Sequence, residues 1–207
     1  MWGGRNPYLR RCFGMKLMLD LFSGLGGASQ AFMDSHEWAV LRYDNNPKLA
    51  NVAATTICDL KEYQIICRHD IELIWASPPC IEFSTAYNAP KSKAQRTGEN
   101  YTPDLSLVRR AMEIIEELKP KYFVIENVAG ASKDLEPLLG KPRQIIGPFL
   151  LWGVFPYIDE PRFWEHQKKD HDKRHDELRS NLRAKVPIEI SQALMNCIES
   201  QRTIVDY

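Results

Sequence analysis

A cysteine set directly behind two prolines, at the end of an apolar run, is the most chemically suggestive feature of this chain. In Ile74-Trp75-Ala76-Ser77-Pro78-Pro79-Cys80-Ile81-Glu82-Phe83-Ser84 the prolines restrict the backbone just ahead of the sulfur, so Cys80 is presented on a rigid turn. A thiolate held there can add to an electrophilic carbon. The bland alternative for a free cysteine is a small buried hydrophobe, and that is the reading taken for Cys12, Cys58, Cys67 and Cys197. A second run, Tyr122-Phe123-Val124-Ile125-Glu126-Asn127-Val128, places a carboxylate and an amide at its polar end. Against apolar walls Glu126 keeps its proton more readily, because desolvation penalises the ionised form. The plainer role is a glutamate that caps the next helix.

A third run, Leu17-Met18-Leu19-Asp20-Leu21-Phe22-Ser23-Gly24-Leu25-Gly26-Gly27, leads a strand into a glycine turn that opens a helix. Such a turn lets a ligand approach the backbone, and free N–H groups at the helix start favour an anionic group. Asp44 lies twenty residues after Gly24, where a carboxylate can accept from ribose hydroxyls. Together they suggest an adenosine-containing cofactor. Ser29 stands where the dinucleotide fingerprint has its third glycine, which weighs against a nicotinamide.

These groups need a scaffold that brings three strand ends together. Short apolar runs alternate with helix-length segments, the pattern of a doubly wound, mostly parallel α/β sheet. Expected strands are Leu17–Phe22, Trp38–Tyr43, Ile71–Ala76, Tyr122–Ile125 and Phe149–Trp152; expected helices are Ala28–Asp34, Pro47–Ala53, Asp104–Lys119 and Lys133–Leu139. In Asp104–Lys119 the residues Leu105, Val108, Ala111, Met112, Ile115 and Leu118 fall three and four apart, with Asp104 as cap and Pro120 as stop. Ligands bind such sheets at the carboxyl ends of the strands. The polar segment Thr85–Pro103 reads as a working loop beside that edge, and Glu160–Lys185 as a charge-dense region.

In order and position the three motifs resemble the cytosine carbon-5 DNA methyltransferase family. The matches are Asp20–Gly27, Ser77-Pro78-Pro79-Cys80 with Phe83-Ser84, and Glu126-Asn127-Val128, over residues 16 to 156. The resemblance implies a Rossmann-like S-adenosylmethionine-dependent methyltransferase fold. It implies S-adenosyl-L-methionine held by Phe22, Gly24, Leu25, Gly26, Asp44, Asp59 and Pro79, and no metal. It makes Cys80 the nucleophile, Glu126 the acid and Arg143 the catalytic arginine, with Arg162 as competitor. Ser84, Lys91, Lys93, Arg96 and Asn127 would meet the substrate, with Thr85–Pro103 as a lid over a flipped base. DNA is the implied partner, in the cytoplasm of a bacterial or phage-infected cell; the same chemistry on RNA or a free cytosine nucleotide, and a catalytically silent nucleic-acid-binding protein, are the alternatives.

The chain departs from the family in three places. Ile81 replaces the glutamine that follows the cysteine. The final motif is reduced to Val186-Pro187 with Ile190, Leu194 and Ile198, without its Gly-Asn. Only Val154–Lys185 remains for target recognition, which points to a compact, phage-type member with short or loose selectivity, since each good bidentate base contact is worth about 1–3 kcal/mol. A partner or self-association would supply further recognition.

Composition narrows the field. With 207 residues, 44% of them apolar, one domain is expected. Its parts read as a leader over 1–14, a catalytic and cofactor-binding unit over 15–156, a reduced recognition segment over 157–185 and a returning helix over 186–207. The leader lacks an apolar core long enough for a secretory signal; a short organelle-targeting peptide is its weaker reading. Lys plus Arg balances Asp plus Glu at 27 each, so affinity for a polyanion must come from local clustering. No apolar run is long enough for a membrane span. An odd count of five cysteines without C-x-x-C fits a reducing compartment. His166, His171 and His175 lie among alternating charges and read as a solvated face.

Overall fold

The computed structural model describes residues 14–84, 89–164 and 177–205, the side chains of 202–205 excepted. The leader, Cys12 and the three histidines of the charged region fall outside the described residues. Seven strands form one sheet: β1 (Lys16–Leu21), β2 (Trp38–Asp44), β3 (Thr55–Ile57), β4 (Ile71–Ala76), β5 (Tyr122–Val128), β6 (Gln144–Ile146) and β7 (Phe149–Val154). Their order is β3-β2-β1-β4-β5-β7-β6. All neighbours are parallel except β7, which runs antiparallel to both β5 and β6. This is the expected doubly wound, Rossmann-like arrangement.

Both faces of the sheet are covered, which explains why the central strands read as continuous apolar runs. On one face Leu19, Leu21, Ile74 and Ile125 pack under α3 (Ser106–Leu118) and α4 (Ser132–Leu139). On the other Met18, Leu73, Trp75 and Val124 pack under α1 (Gln30–Asp34) and α6 (Ile188–Val205). The apolar stripe of α3 buries Val108, Ala111, Ile114 and Ile115, and each of its larger side chains stabilises by about 1.5–3 kcal/mol. Asp104 accepts from the Ser106 amide at 2.8 Å, and Lys119 in the left-handed region ends the helix ahead of Pro120.

Several expectations need correction. The helix expected over Pro47–Ala53 is only a 3-10 turn over Pro47–Leu49, because the chain must reach β3 through Ala54, which sits at φ 59°. Strands β3 and β6 are additions to the expected set. The segment Thr85–Pro103 is not a loop throughout: it carries α2 (Pro90–Thr97), closed by Gly98 at φ 72°. Within the charged region a short helix, α5 (Arg179–Ala184), precedes α6. No described helix is long and apolar enough to cross a membrane.

Candidate active site

The winding places a switch point between β1 and β4, since the chain leaves β1 toward β2 and β3 and then crosses to β4. The crevice at the carboxyl ends of those two strands is where such sheets bind ligands. Both motif turns open there, and the Ser77 amide after β4 donates to the Leu21 carbonyl of β1 at 3.1 Å.

On the β4 side, Pro78 and Pro79 lead into a 3-10 turn over Cys80–Glu82. Cys80 is half-buried and Phe83 behind it is fully buried. Asn127 donates from Nδ2 to the Pro78 carbonyl at 3.0 Å, tying the end of β5 to the proline turn. Its Oδ1 accepts from the Val128 amide. Asn127 is 1% exposed, with both ends of its amide engaged in holding this turn and the end of β5.

Glu126, one residue earlier on β5, is buried. Burial pushes its carboxyl up to about 7, against a hydrogen bond from Ser77 that favours the charged form. The Ser77 hydroxyl itself accepts from the Trp75 indole at 2.8 Å. Cys80 has Glu126 as electrostatic neighbour, and burial together with that carboxylate pushes the thiol up, while its backbone amide and the Arg183 guanidinium draw it down. A thiol and a carboxyl that hold their protons near neutrality thus share one crevice, an arrangement suited to nucleophilic attack coupled to proton donation.

On the β1 side the glycine turn is held by Asp44, whose two carboxylate oxygens accept from the Gly24 amide at 2.8 Å and the Asn46 amide at 2.9 Å. Asp59 lies beyond β3 and accepts from the Lys61 amide at 2.9 Å; the Cys58 amide donates to the Asp44 carbonyl, so the two acids stand at adjacent strand ends. Phe22 adopts φ 56°, a left-handed conformation that costs a non-glycine residue about 1–3 kcal/mol. The buried Ser23 hydroxyl has no partner among the described residues. An unsatisfied hydroxyl beside a carboxylate and a glycine turn fits a ligand with polar edges such as S-adenosylmethionine. Leu25 is half-buried in the turn, and Pro79 is exposed across the crevice.

Beneath this turn lies a cluster that sequence reasoning missed. Arg42, 2% exposed, donates to the Ser29 hydroxyl, the Gly26 carbonyl and the Ala53 carbonyl. Ser29 in turn donates to Asp20. Only glycine fits at position 26, because a Cβ there would meet the Arg42 guanidinium at 2.3 Å. The available signal was an arginine inside the apolar run Trp38–Tyr43.

Other expected residues sit elsewhere. Arg143 is not brought to Cys80 and Glu126: its Nε donates to the Phe155 carbonyl at 2.8 Å and its guanidinium stacks on that ring. Phe155 follows Val154, which pairs with Phe123 toward the opposite edge of the sheet. The segment of Arg162 returns to the functional edge, where Trp164 covers Gly147 in the β6–β7 turn. Lys91 pairs with Asp134 at 2.7 Å, which commits its charge to joining α2 to α4. Lys93 and Arg96 are exposed on α2. Ser84 follows the buried Phe83, and the residues after it, 85–88, fall outside the described residues.

A family model described as C-5 cytosine-specific DNA methylase matches residues 17–137, more than half of the 207-residue chain. The chain belongs to this family. It is 32% identical over 152 residues to the "Probable DNA (cytosine-5)-methyltransferase" of Frog virus 3 (isolate Goorha), covering 71% of this chain and 69% of the viral protein. It is 30% identical over 143 residues to the type II methyltransferase M.XorII of Xanthomonas oryzae pv. oryzae, covering 62% of this chain but 30% of that enzyme. Among solved structures it is similar to the Entamoeba histolytica methyltransferase EhMeth, with TM-score 0.45 and 15% identity over 76% of this chain and 61% of that one. Glycine turn, proline-cysteine turn and glutamate strand all fall inside the matched C-5 methylase span.

Proposed function

We propose that the chain transfers a methyl group from S-adenosylmethionine to carbon 5 of cytosine in DNA, through a transient bond between Cys80 and the base. The observation that carries this is the shared crevice of Cys80 and Glu126, opposite a glycine turn with an unpaired buried hydroxyl. Phe22, Ser23, Gly24, Asp44 and Asp59 would hold the cofactor, which supplies the electrophilic methyl group when bound. Gly26 serves less as a contact than as the passage for Arg42.

Cytosine carbon 5 is a poor nucleophile. The Cys80 thiolate adds to carbon 6, and the displaced ring electrons make carbon 5 an enamine carbon able to take a methyl group. Protonated Glu126 donates to ring nitrogen 3 and offsets the charge that builds there. After methylation a base removes the carbon-5 proton, the electron pair re-forms the ring double bond, and the Cys80 sulfur leaves as thiolate. A duplex target must be flipped out to reach the crevice, at a cost of roughly a few kcal/mol. Arg162, on the segment that returns to the functional edge, is the arginine proposed to meet the substrate in place of Arg143. The short stretch Val154–Lys185 supports loose or short sequence selectivity.

Incubation of the full chain with S-adenosylmethionine and DNA bearing 5-fluorocytosine tests the reading. Fluorine cannot leave as a proton does, so the covalent protein–DNA adduct is expected to accumulate and to vanish in Cys80→Ser. Absence of an adduct with DNA but presence with RNA of the same sequence would transfer the substrate assignment to RNA. Cofactor binding without adduct or turnover on any substrate would leave a silent binding protein.

A further inference from the structure

Ser77 is the residue of the proline-cysteine turn that the chemistry above does not use, yet its place is fixed from three sides. Its amide donates to the Leu21 carbonyl of β1 at 3.1 Å, and Pro78 after it restricts its backbone to extended conformations. Strand register supplies the third constraint. Trp75 pairs with Val124 and Ala76 with Ile125 in the parallel ladder of β4 and β5, so the next step sets Ser77 beside Glu126. Ala76 and Ile125 pack in the core under α3 and α4, Trp75 and Val124 in the core under α1 and α6. Because side chains alternate along a strand, Ser77 and Glu126 fall on the Trp75 side of the sheet, as lateral neighbours at its carboxyl edge.

The hydroxyl has its direction set as well. The Trp75 side chain is fully buried and its indole can only donate; Nε1 gives its proton to the Ser77 Oγ at 2.8 Å. That leaves the hydroxyl one proton of its own, and the side chain of Glu126 receives it. We propose that Ser77 is a positioning residue for the acid: held by Trp75 and donating to one carboxyl oxygen of Glu126, it confines the transferable proton to the other oxygen. The proposal rests on Glu126 being the proton donor to cytosine, as argued above.

The physical need arises from the symmetry of a carboxyl group. A neutral acid can carry its proton on either oxygen and turn it either way, whereas donation to a ring nitrogen needs one position and one direction. An oxygen that already accepts from Ser77 is a poor place for that proton, since two protons would then meet in one contact. Protonating the other oxygen satisfies both groups. The same bond favours the charged form against the burial that raises this carboxyl, which keeps the proton transferable. The titratable neighbour of Glu126 is the Cys80 thiol, while β7 places Leu151 opposite it in the ladder and Arg143 is engaged at Phe155.

The test titrates Glu126 itself, in the full chain without DNA or cofactor, so its result is separate from that of the 5-fluorocytosine adduct. The side-chain carboxyl carbons of Glu and Asp are labelled with carbon-13 and followed against pH by NMR, Glu126 being the signal lost in E126Q. Asp20, buried under the glycine turn and pushed up to about 7 as well, is the internal reference. In S77A the Glu126 midpoint is expected to rise by about one pH unit, because a charged carboxylate gains more from a hydrogen bond than the neutral acid does. Asp20 should stay in place, and S77T, which keeps the hydroxyl, should titrate like wild type. An unmoved Glu126 midpoint in S77A would leave Ser77 as no more than an acceptor for the Trp75 indole and overturns the proposal. An equal shift of Glu126 and Asp20, which would mean a loosened fold, overturns it too. Should S77A fail to fold, the wild-type chain decides the matter at acidic pH through the infrared C=O stretch of protonated Glu126, picked out as the band missing in E126Q. It is expected at the lowered frequency of a carbonyl that accepts a hydrogen bond, and a band at the frequency of an unbonded acid overturns the role of Ser77.

Discussion

Two carboxyl groups in this protein are buried and pushed up to about 7, yet their surroundings differ in kind. Asp20 is sealed under the glycine turn, with Ser29 donating to it and Arg42 held through the same hydroxyl. Glu126 receives a hydrogen bond from Ser77 and has the half-buried Cys80 thiol as its neighbour at the carboxyl ends of β4 and β5. The first environment consumes its polar groups internally and can only shape backbone; the second sets the carboxyl beside a thiol that is partly exposed, as the proposed proton donation requires. A displaced titration alone therefore does not mark a catalytic group. What distinguishes the two is whether the neighbours satisfy the carboxyl or leave it work to do.

Breaking the sealed cluster should produce the largest effect. Arg42→Met removes the guanidinium that donates to Ser29, Gly26 and Ala53 and leaves the buried Asp20 without its nearby positive charge, so a loss of about 3–5 kcal/mol is expected in urea unfolding. Cofactor affinity should fall with it, because the turn at Gly24–Gly26 loses its support. A variant of wild-type stability would show that Asp20 and Arg42 are not coupled as described.

Glu126→Gln sharpens the contrast from the other side. The amide keeps the shape of the protonated acid, so the fold should survive, while methyl transfer should drop by about 10²–10⁴-fold. The pH profile of kcat/KM adds a signature. Wild type should show a bell whose acidic limb falls near 7, because the productive form combines a thiolate with a protonated Glu126. Glu126→Gln should lose that limb and rise with pH until Cys80 is ionised. A variant that retains the limb near 7 would assign it to another group.

The same two carboxyls make a smaller, shared contribution to stability against pH. Each holds its proton more tightly in the folded chain than in the unfolded one. Across the interval from the ordinary carboxylate range up to about 7 the native state therefore binds more protons, and stability falls as pH rises, levelling above that value. Urea midpoints at about pH 5 and about pH 8 measure it, and Glu126→Gln should reduce the difference without abolishing it.

What the sequence made legible follows from the same contrast between local and distant causes. Strands β1, β4 and β5 were readable because burial on both faces leaves a continuous apolar run, and α3 because its stripe recurs every three or four residues. Cys80, Glu126 and the glycine turn were legible because each sits at the end of such a run. The three-residue strands β3 and β6 are too short to carry a period. Arg143 was misplaced because linear order says nothing of the β6–β7 reversal, which turns its side chain toward the opposite edge. Arg42 left only the trace of a charge in an apolar strand.

The smallest effect concerns α2, the helix found where an unstructured lid was expected. It is fastened at both ends: Lys91 to Asp134 of α4, and, beyond its last turn, the Tyr101 hydroxyl donating to Glu82 in the turn that carries Cys80. Desolvation and the contact with Glu82 push the Tyr101 phenol up to about 12, so the donor stays protonated throughout the working range. The Lys91 pair is only partly shielded, and Lys91→Gln should cost less than about 1 kcal/mol in global stability. Its consequence should appear instead in local opening. Amide exchange across Pro90–Thr97 is expected to quicken while β4 and β5 remain protected, and the methyl-transfer rate should change by less than the effect of Glu126→Gln. Unchanged exchange in α2 would mean that the Tyr101–Glu82 contact alone fastens it, leaving the Cys80–Glu82 turn, and not α4, as its anchor.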